Sequence, residues 1–360
     1  MTHFYNTGRA SRLMLSMSFI FFFERANRMY LNKLFLFLIL SAAVSGCGEE
    51  EEEEREEEEE EGSKPSDERQ DSAKKIAISL DGSLQNPAWS PDGEALVFTR
   101  FYNGYNVEPA DLVVVEMEDG STRVLINDGS ANVNLPGAAW NAATEEIVFS
   151  SSREPHDEIY VIDDNGVTGD EMQITGRDDQ MAYEPSFSPD GEWVVFESHA
   201  VDQEDNGVIT RYRLDGTGDY ETLTDTDDDC RQPNWAPEGG YIVYQCQVDG
   251  RWDLWVMKED GSEPRQLTTG PGDKTDASFS PNGKWIVYSS DAGGLELANI
   301  FIVSIDGGDP VRVTHWDGYD GSPSWASTHQ IAFESYFGDP DDSPGTTLWV
   351  IDVPDAILID

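Results

Sequence analysis

From residue 85 to the C-terminus, short apolar runs alternate with turn residues at a nearly constant interval. Trp89-Ser90-Pro91-Asp92-Gly93 leads into Ala95-Leu96-Val97-Phe98, and Phe187-Ser188-Pro189-Asp190-Gly191 into Trp193-Val194-Val195-Phe196. Trp235-Ala236-Pro237-Glu238-Gly239 leads into Tyr241-Ile242-Val243-Tyr244, and Phe279-Ser280-Pro281-Asn282-Gly283 into Trp285-Ile286-Val287-Tyr288. Two further copies keep the aromatic and the apolar run but have lost the turn: Trp140 before Ile147-Val148-Phe149, and Trp325 before Ile331-Ala332-Phe333. A run of four apolar residues bounded by turn residues predicts a strand buried on both faces.

The six aromatics at 89, 140, 187, 235, 279 and 325 are spaced by 51, 47, 48, 44 and 46 residues, the length of one four-stranded propeller blade. A third strand follows in each unit and in the first five ends in an acidic-Gly or Asn-Gly pair, as at Val113-Val114-Val115 before Asp119-Gly120 and Trp255-Val256-Met257 before Asp260-Gly261. Such pairs supply the positive φ that two-residue hairpins need. A fourth, alternating strand follows, as in Arg265-Gln266-Leu267-Thr268 and Val311-Arg312-Val313-Thr314, and suits a half-exposed outer position. The pattern predicts an all-β, six-bladed β-propeller of four-stranded antiparallel blades over residues 74–360, with blades near 85–134, 135–182, 183–231, 232–274, 275–320 and 321–360. Two segments could provide the sixth blade's fourth strand, Ala356–Asp360 or Lys74–Leu80. The second is preferred, because it locks the first and last blades together and removes a sheet edge.

These units resemble the WD-like repeats of the TolB β-propeller family over about residues 74–355. The resemblance implies the propeller fold and, in TolB itself, a partner that is a peptidoglycan-associated lipoprotein in an outer-membrane integrity system. The chain is expected to depart from that pattern in two ways, with the propeller itself lipid-anchored and with no separate α/β domain before it. Propellers of this type also serve as enzyme accessory domains and scaffolds, and fold alone does not select among these roles.

The N-terminal region reads as an address. Lys33 precedes the apolar run Leu34–Leu40, and small residues lead to Val44-Ser45-Gly46-Cys47. A basic residue, a short apolar core and small residues before a cut form a secretory signal. A cysteine at the cut resembles the lipobox of bacterial lipoproteins, with Cys47 as the lipidated first residue. Residues 29–47 are therefore expected to be the signal, and residues 1–28 an over-long start or leader. Gly48 in place of an Asp favours the outer membrane, facing the periplasm or the cell surface. Residues 48–73, glutamate-rich from Glu49 to Glu61, are expected to form a disordered acidic tether; surface display is the alternative reading of that run.

Charge narrows the partners. The formal net charge is −48, from 71 acidic and 23 basic residues. Such a polyanion is repelled by nucleic acid and should meet the membrane only through its lipid. A monomeric propeller that binds an envelope protein or peptide is the expectation. No nucleophile elbow, metalloprotease helix or phosphate loop is present. No catalytic residues are assigned, and a non-enzymatic role is expected. The alternative is a propeller enzyme or a calcium-binding surface protein acting on envelope or extracellular polymers.

Three sets of residues carry what site chemistry the sequence offers. The residues three before each repeat aromatic are Asn86, Gly137, Glu184, Gln232, Asp276 and Ser322. In TolB-like propellers this position lines one mouth of the central channel, so the ring is read either as a docking site for a basic or hydrogen-bonding peptide or as strand caps that hydrate the channel. Cys230 and Cys246 flank the hairpin around Pro237–Gly240. If Trp235 lies opposite Tyr241, the two cysteines face each other, and either a disulfide forms or two free thiols remain. Acidic loops (Asp202, Glu204 and Asp205; Asp225, Asp227, Asp228 and Asp229; Asp339, Asp341 and Asp342) could hold calcium or be simply solvated. No other cofactor and no assigned metal site are expected. His156, His199, His315 and His329 are read as surface residues, and the loop from Phe101 to Pro109, with Tyr102 and Tyr105, as an adaptable contact surface.

Overall fold

A computed structural model describes residues 68–127, 133–134, 139–153, 155–201, 203–225, 227–337 and 345–358. The signal segment, Cys47, the glutamate run, Gly137, Asp202, Asp339, Asp341 and Asp342 lie outside the described residues, as do the side chains of Glu204 and Asp205. Six antiparallel sheets follow one another along the chain. The first blade comprises β2 (Ser83–Trp89), β3 (Ala95–Phe101), β4 (Ala110–Glu116) and β5 (Thr122–Ile126), hydrogen-bonded in that order. The third, fourth and fifth blades repeat it, and in the second blade the innermost strand is represented by Val133–Asn134 and Trp140–Asn141, both paired to Glu146–Ser151. The sixth blade takes its outer strand from β1 (Lys74–Lys75), whose Lys74 and Lys75 pair with Val350 and Trp349. Ala356 lies instead in the short helix α1 (Asp355–Leu358).

The continuous apolar strands are explained by packing between blades. One core cluster joins Val97, Leu112 and Val114 of the first blade to Ile147, Phe149 and Tyr160 of the second. Another packs the opposite face of the first blade, through Leu96, Phe98 and Val113, on Ala332 and Leu348 of the sixth. A middle strand therefore buries both faces, and alternation survives only in the outer strands.

The repeat's polar residues also have local tasks. In the turn after the first strand, Ser90 Oγ donates to Asp92 Oδ1 at 2.6 Å and accepts from the Ala95 N–H at 2.9 Å; Ser188 with Asp190, and Ser280 with Asn282, repeat the arrangement. The two copies without the Gly place Glu145 (φ 57°) and His329 (φ 64°) at the positive φ where the others use Gly93, Gly191, Gly239 and Gly283. The threonine closing the fourth strand caps the third: Thr175, Thr224, Thr268 and Thr314 each accept the N–H of Ile159, Ile209, Leu254 and Ile300 at 2.8–2.9 Å.

Two expectations are corrected. The tether does not extend to residue 73, because the segment Glu68–Ala73 packs on the sixth blade. Arg69 pairs with Asp320 at 2.8 Å and with Asp71 at 3.0 Å, and its guanidinium lies 4.4 Å from the Trp316 ring and 4.9 Å from that of Trp349. The hairpin register is also different: Trp235 pairs with Ile242, not Tyr241, while Cys230 pairs with Cys246. A bulge between Arg231 and Asn234 absorbs one residue, so the cysteines still meet. Their Cα atoms are 4.1 Å apart and a disulfide joins them.

Candidate functional site at the channel mouth

That bulge belongs to the ring. Every blade with a fully described first strand shows a register shift at the same place, after Gln85, Tyr183, Arg231, Thr275 and Gly321. The residue that begins each bulge is Asn86, Glu184, Gln232, Asp276 or Ser322, with φ of 51°, 49°, 50°, 54° and 47°. Non-glycine residues avoid this left-handed region, and a bulge re-aims the side chain it carries. The following prolines, Pro87, Pro185, Pro233 and Pro323, are tolerated because the ladder is interrupted there.

The bulge frees a backbone N–H that crosses to the preceding blade. Asn86 N donates to Glu334 Oε2 at 2.9 Å, Gln232 N to Glu197 Oε2 at 2.9 Å, Asp276 N to Gln245 Oε1 at 3.3 Å, and Ser322 N to Ser289 Oγ at 3.2 Å. A second tier of residues thus lies beneath the mouth: Thr99, Ser150, Glu197, Gln245, Ser289 and Glu334, all buried. Sequence reading overlooked this tier, although it has a signal: each member stands ten residues after its repeat aromatic, nine in the last blade, and is polar within an otherwise apolar strand.

Side chains of the mouth interlock. Gln232 Nε2 donates to Glu184 Oε1 and to Asp276 Oδ1, both at 3.0 Å, while its Oε1 accepts the Asp276 N–H at 3.1 Å. Ser322 Oγ donates to Asn86 Oδ1 at 3.0 Å. The structure therefore brings together Glu184, Gln232 and Asp276 on one side, and Ser322 with Asn86 on the other. Glu184 Oε2 is shut off from solvent and has no hydrogen-bond partner.

Several acids here titrate far from their ordinary range. Burial, then the neighbouring charge of Glu197, raises the Glu184 carboxyl well above 4.5. Glu197 is itself lowered: burial opposes ionisation, but the His199 bond and the charges of His199 and Arg231 outweigh it. Burial pushes Glu334 up to about 8, with Asp276 adding repulsion and the bonds from Asn86, Tyr105 and Tyr319 only partly offsetting it. Asp157 rises to about 6, again chiefly through burial.

Two further elements contribute. Tyr105, on the Phe101–Pro109 loop, donates its hydroxyl to Glu334 Oε1 at 3.1 Å and packs its ring 6.5 Å from Tyr319 and 6.4 Å from Tyr336. Half of that loop is therefore part of the mouth, while Tyr102 stays exposed. His199 was expected at the surface and is instead only 3% exposed. Its Nε2 lies 3.0 Å from Glu197 Oε1, because residue 199 falls within a middle strand, Trp193–Ala200. His315 and His329 are exposed and His156 is half-buried. Among the described residues no group of three His, Cys, Asp or Glu side chains is placed to hold a metal ion. Asp229 is paired with Arg231 at 2.8 Å. No helix among the described residues is long and apolar enough to cross a membrane.

Comparison with known proteins gives a consistent picture. Residues 68–261 and 216–335 match the TolB beta propeller domain. An uncharacterised protein of Agrobacterium fabrum is 28% identical over 273 residues, 71% of this chain and 85% of that protein. A dipeptidyl-peptidase 5 of Porphyromonas endodontalis is 33% identical over 109 residues, and the Tol-Pal system protein TolB of Francisella tularensis 28% identical over 107 residues. Those matches cover 29% and 30% of this chain but only 16% and 24% of the two relatives. Among solved structures, a putative TolB from Agrobacterium tumefaciens superposes with a TM-score of 0.56 at 19% identity, covering 76% of this chain and 92% of its own. An oligogalacturonate lyase from Vibrio parahaemolyticus gives 0.51 at 12% identity, covering 79% and 94%. At these identities the likeness concerns the fold.

Proposed function

The chain belongs to the TolB beta-propeller domain family, and from that premise we propose that it is a non-enzymatic, protein-binding or scaffolding module of the cell envelope, held to a membrane by lipid on Cys47. Its channel mouth docks a protein or peptide that presents basic or hydrogen-bonding groups. The observation that carries this reading is the ring itself. Asn86, Glu184, Gln232, Asp276 and Ser322 occupy one strained bulge position in successive blades. Strain repeated around a single axis concentrates where a scaffold holds recognition groups in place. The lining mixes carboxyls that burial keeps protonated, Glu184 and Glu334, with Glu197, which is held below its ordinary range and keeps its charge, and this mixture favours a partner that presents basic or hydrogen-bonding groups. The relative named as a Tol-Pal system protein supports an envelope role.

The mouth's polar groups are largely bonded to one another, and this supports recognition rather than bond-breaking chemistry. The test is a crosslinking capture from intact cells with the wild type and with Glu184→Lys plus Asp276→Lys. One envelope protein captured by the wild type and lost from the variant, with the variant shown by circular dichroism to be folded at the capture temperature, is the expected result. An identical capture profile would remove the mouth from the proposal.

A further inference from the structure

Four arginines show how this protein holds a guanidinium. Arg69 lies 4.4 Å from the Trp316 ring and pairs with Asp320 at 2.8 Å. Arg231 lies 5.4 Å from the Trp252 ring and pairs with Asp229 at 2.8 Å. Arg153 lies 4.7 Å from the Tyr160 ring and pairs with Glu171; Arg211 lies 4.3 Å from that of Trp193 and pairs with Glu221. An aromatic face beside a carboxylate suits this group, which is planar and weakly hydrated and can stack while its fork binds oxygen. The buried ammonium of Lys274 has a different setting, with Asp253 at 2.9 Å and the carbonyls of Gly270 and Gly272 at 2.8 and 2.9 Å.

The channel mouth has the aromatic faces and the carboxylate without the cation. Tyr319 folds back over Gly321, where a Cβ would collide with its phenol, and so stands beside Ser322. Tyr105 meets it from the first blade, with ring centroids 6.5 Å apart. The charge of Asp276 acts on both tyrosines, on Glu334 and on Glu184, which places its carboxylate among them. Tyr105, Tyr319 and Asp276 are each half-buried, so solvent reaches all three. At Glu184 and Glu197, Arg231 supplies a countercharge, whereas the charges acting on Tyr105, Tyr319 and Glu334 come from acids and from one another. Among the described residues no lysine or arginine lies over Tyr105 or Tyr319 or pairs with Asp276. The propeller residues outside that set include no basic side chain.

An anion would be repelled by Asp276, and a neutral group would leave its charge unmatched. No group of three His, Cys, Asp or Glu side chains among the described residues is placed to hold a metal ion. The tyrosine pair favours a flat cation that stacks over a compact ammonium. We propose that the partner docked at the mouth inserts one arginine side chain here, its guanidinium against the Tyr105–Tyr319 pair and bonded to Asp276. This inference rests on the mouth being the docking face and names the group which that face takes.

Saturation-transfer NMR and calorimetry on the mature protein test it, with butylguanidinium, butylammonium and neutral butylurea as probes. Salt at about 0.15 M screens long-range attraction to the acidic surface. Butylguanidinium should bind more tightly than butylammonium, and butylurea should not bind. Asp276→Asn, which keeps a residue tolerant of the left-handed backbone, should weaken butylguanidinium by about tenfold or more. Tyr105→Ala should weaken it by about two- to tenfold, and Tyr105→Phe, which keeps the aromatic face, should retain most of the binding. Asp260→Asn removes the same charge from an exposed hairpin turn and should change nothing. The proposal is overturned if butylguanidinium binds no better than butylammonium, if Asp276→Asn and Asp260→Asn act equally, or if binding survives Tyr105→Ala unaltered. Capture of an envelope protein that needs Glu184 and Asp276, with no guanidinium binding, would keep the docking face and overturn the arginine alone. Guanidinium binding that needs Asp276 supports the arginine site even where no envelope protein is captured.

Discussion

The backbone N–H of Asn86, in the first blade, donates to the carboxylate of Glu334, in the sixth, at 2.9 Å. The bond crosses the seam between the first and sixth blades, and its acceptor is completely buried. Folded protein keeps a proton on Glu334 up to about pH 8, whereas the unfolded chain releases it near 4.5.

Between those values the folded state binds more protons than the unfolded one, so stability should fall as pH rises through that window. Glu334→Gln removes one source of the slope. Thermal melts at pH 5 and pH 8 should differ less in this variant than in the wild type, by an amount on the order of 1–3 kcal/mol. Glu184 and Asp157, also raised, leave a residual slope of the same sign, while the lowered Glu197 acts below the window. An unchanged pH dependence in the variant would show that Glu334 ionises normally.

Arg69 is the next test. Its side chain is 8% exposed and that of Asp320 is 0% exposed. Arg69→Ala leaves a buried carboxylate without its ion-pair partner and should cost about 3–5 kcal/mol in urea unfolding. Adding Asp320→Asn to Arg69→Met should recover much of the loss, since the uncompensated charge is then gone. If Arg69→Ala is neutral, the segment Glu68–Ala73 does not hold the sixth blade.

The bond between Cys230 and Cys246, sixteen residues apart, should contribute about 3 kcal/mol by restricting the unfolded chain. Replacing both with Ala should lower the unfolding midpoint accordingly, and thiol titration of the denatured, unreduced wild type should find neither cysteine free.

The strained ring makes a contrast between two substitutions. Ser322 has φ of 47°, where a β-branched residue fits badly and glycine fits freely. Ser322→Val should destabilise by about 1–3 kcal/mol, and Ser322→Gly should change stability little. Equal losses in chemical denaturation would mean that the hydroxyl bond to Asn86, not the backbone, governs the site.

The number of blades, their turns and the position of the ring were legible because each depends on neighbours within about ten residues. The Ser-Pro-Asp-Gly turns, the acidic-Gly hairpins and the 44–51-residue interval are local, and a repeat reports them several times over. The interval also located the ring, since a residue three before each aromatic is the same place in each blade.

What local pattern does not carry is the consequence of chain segments meeting from afar. No glycine marks the left-handed bulge at Asn86, Glu184, Gln232, Asp276 or Ser322; at Asn86, Gln232, Asp276 and Ser322 the freed N–H finds a polar residue of the preceding blade. The hairpin register of Trp235 was misread for the same reason, since the bulge that restores the pairing of Cys230 with Cys246 is invisible in the spacing. Glu197 and Glu334 carry no local mark of their role, His199 reads as a surface residue, and Arg69 reads as part of a tether. Their burial, and the displaced titration of Glu197 and Glu334, depend on six blades closing around one axis. Local pattern set the repeated unit; closing the ring selected which polar groups lost their water and therefore which of them could act together.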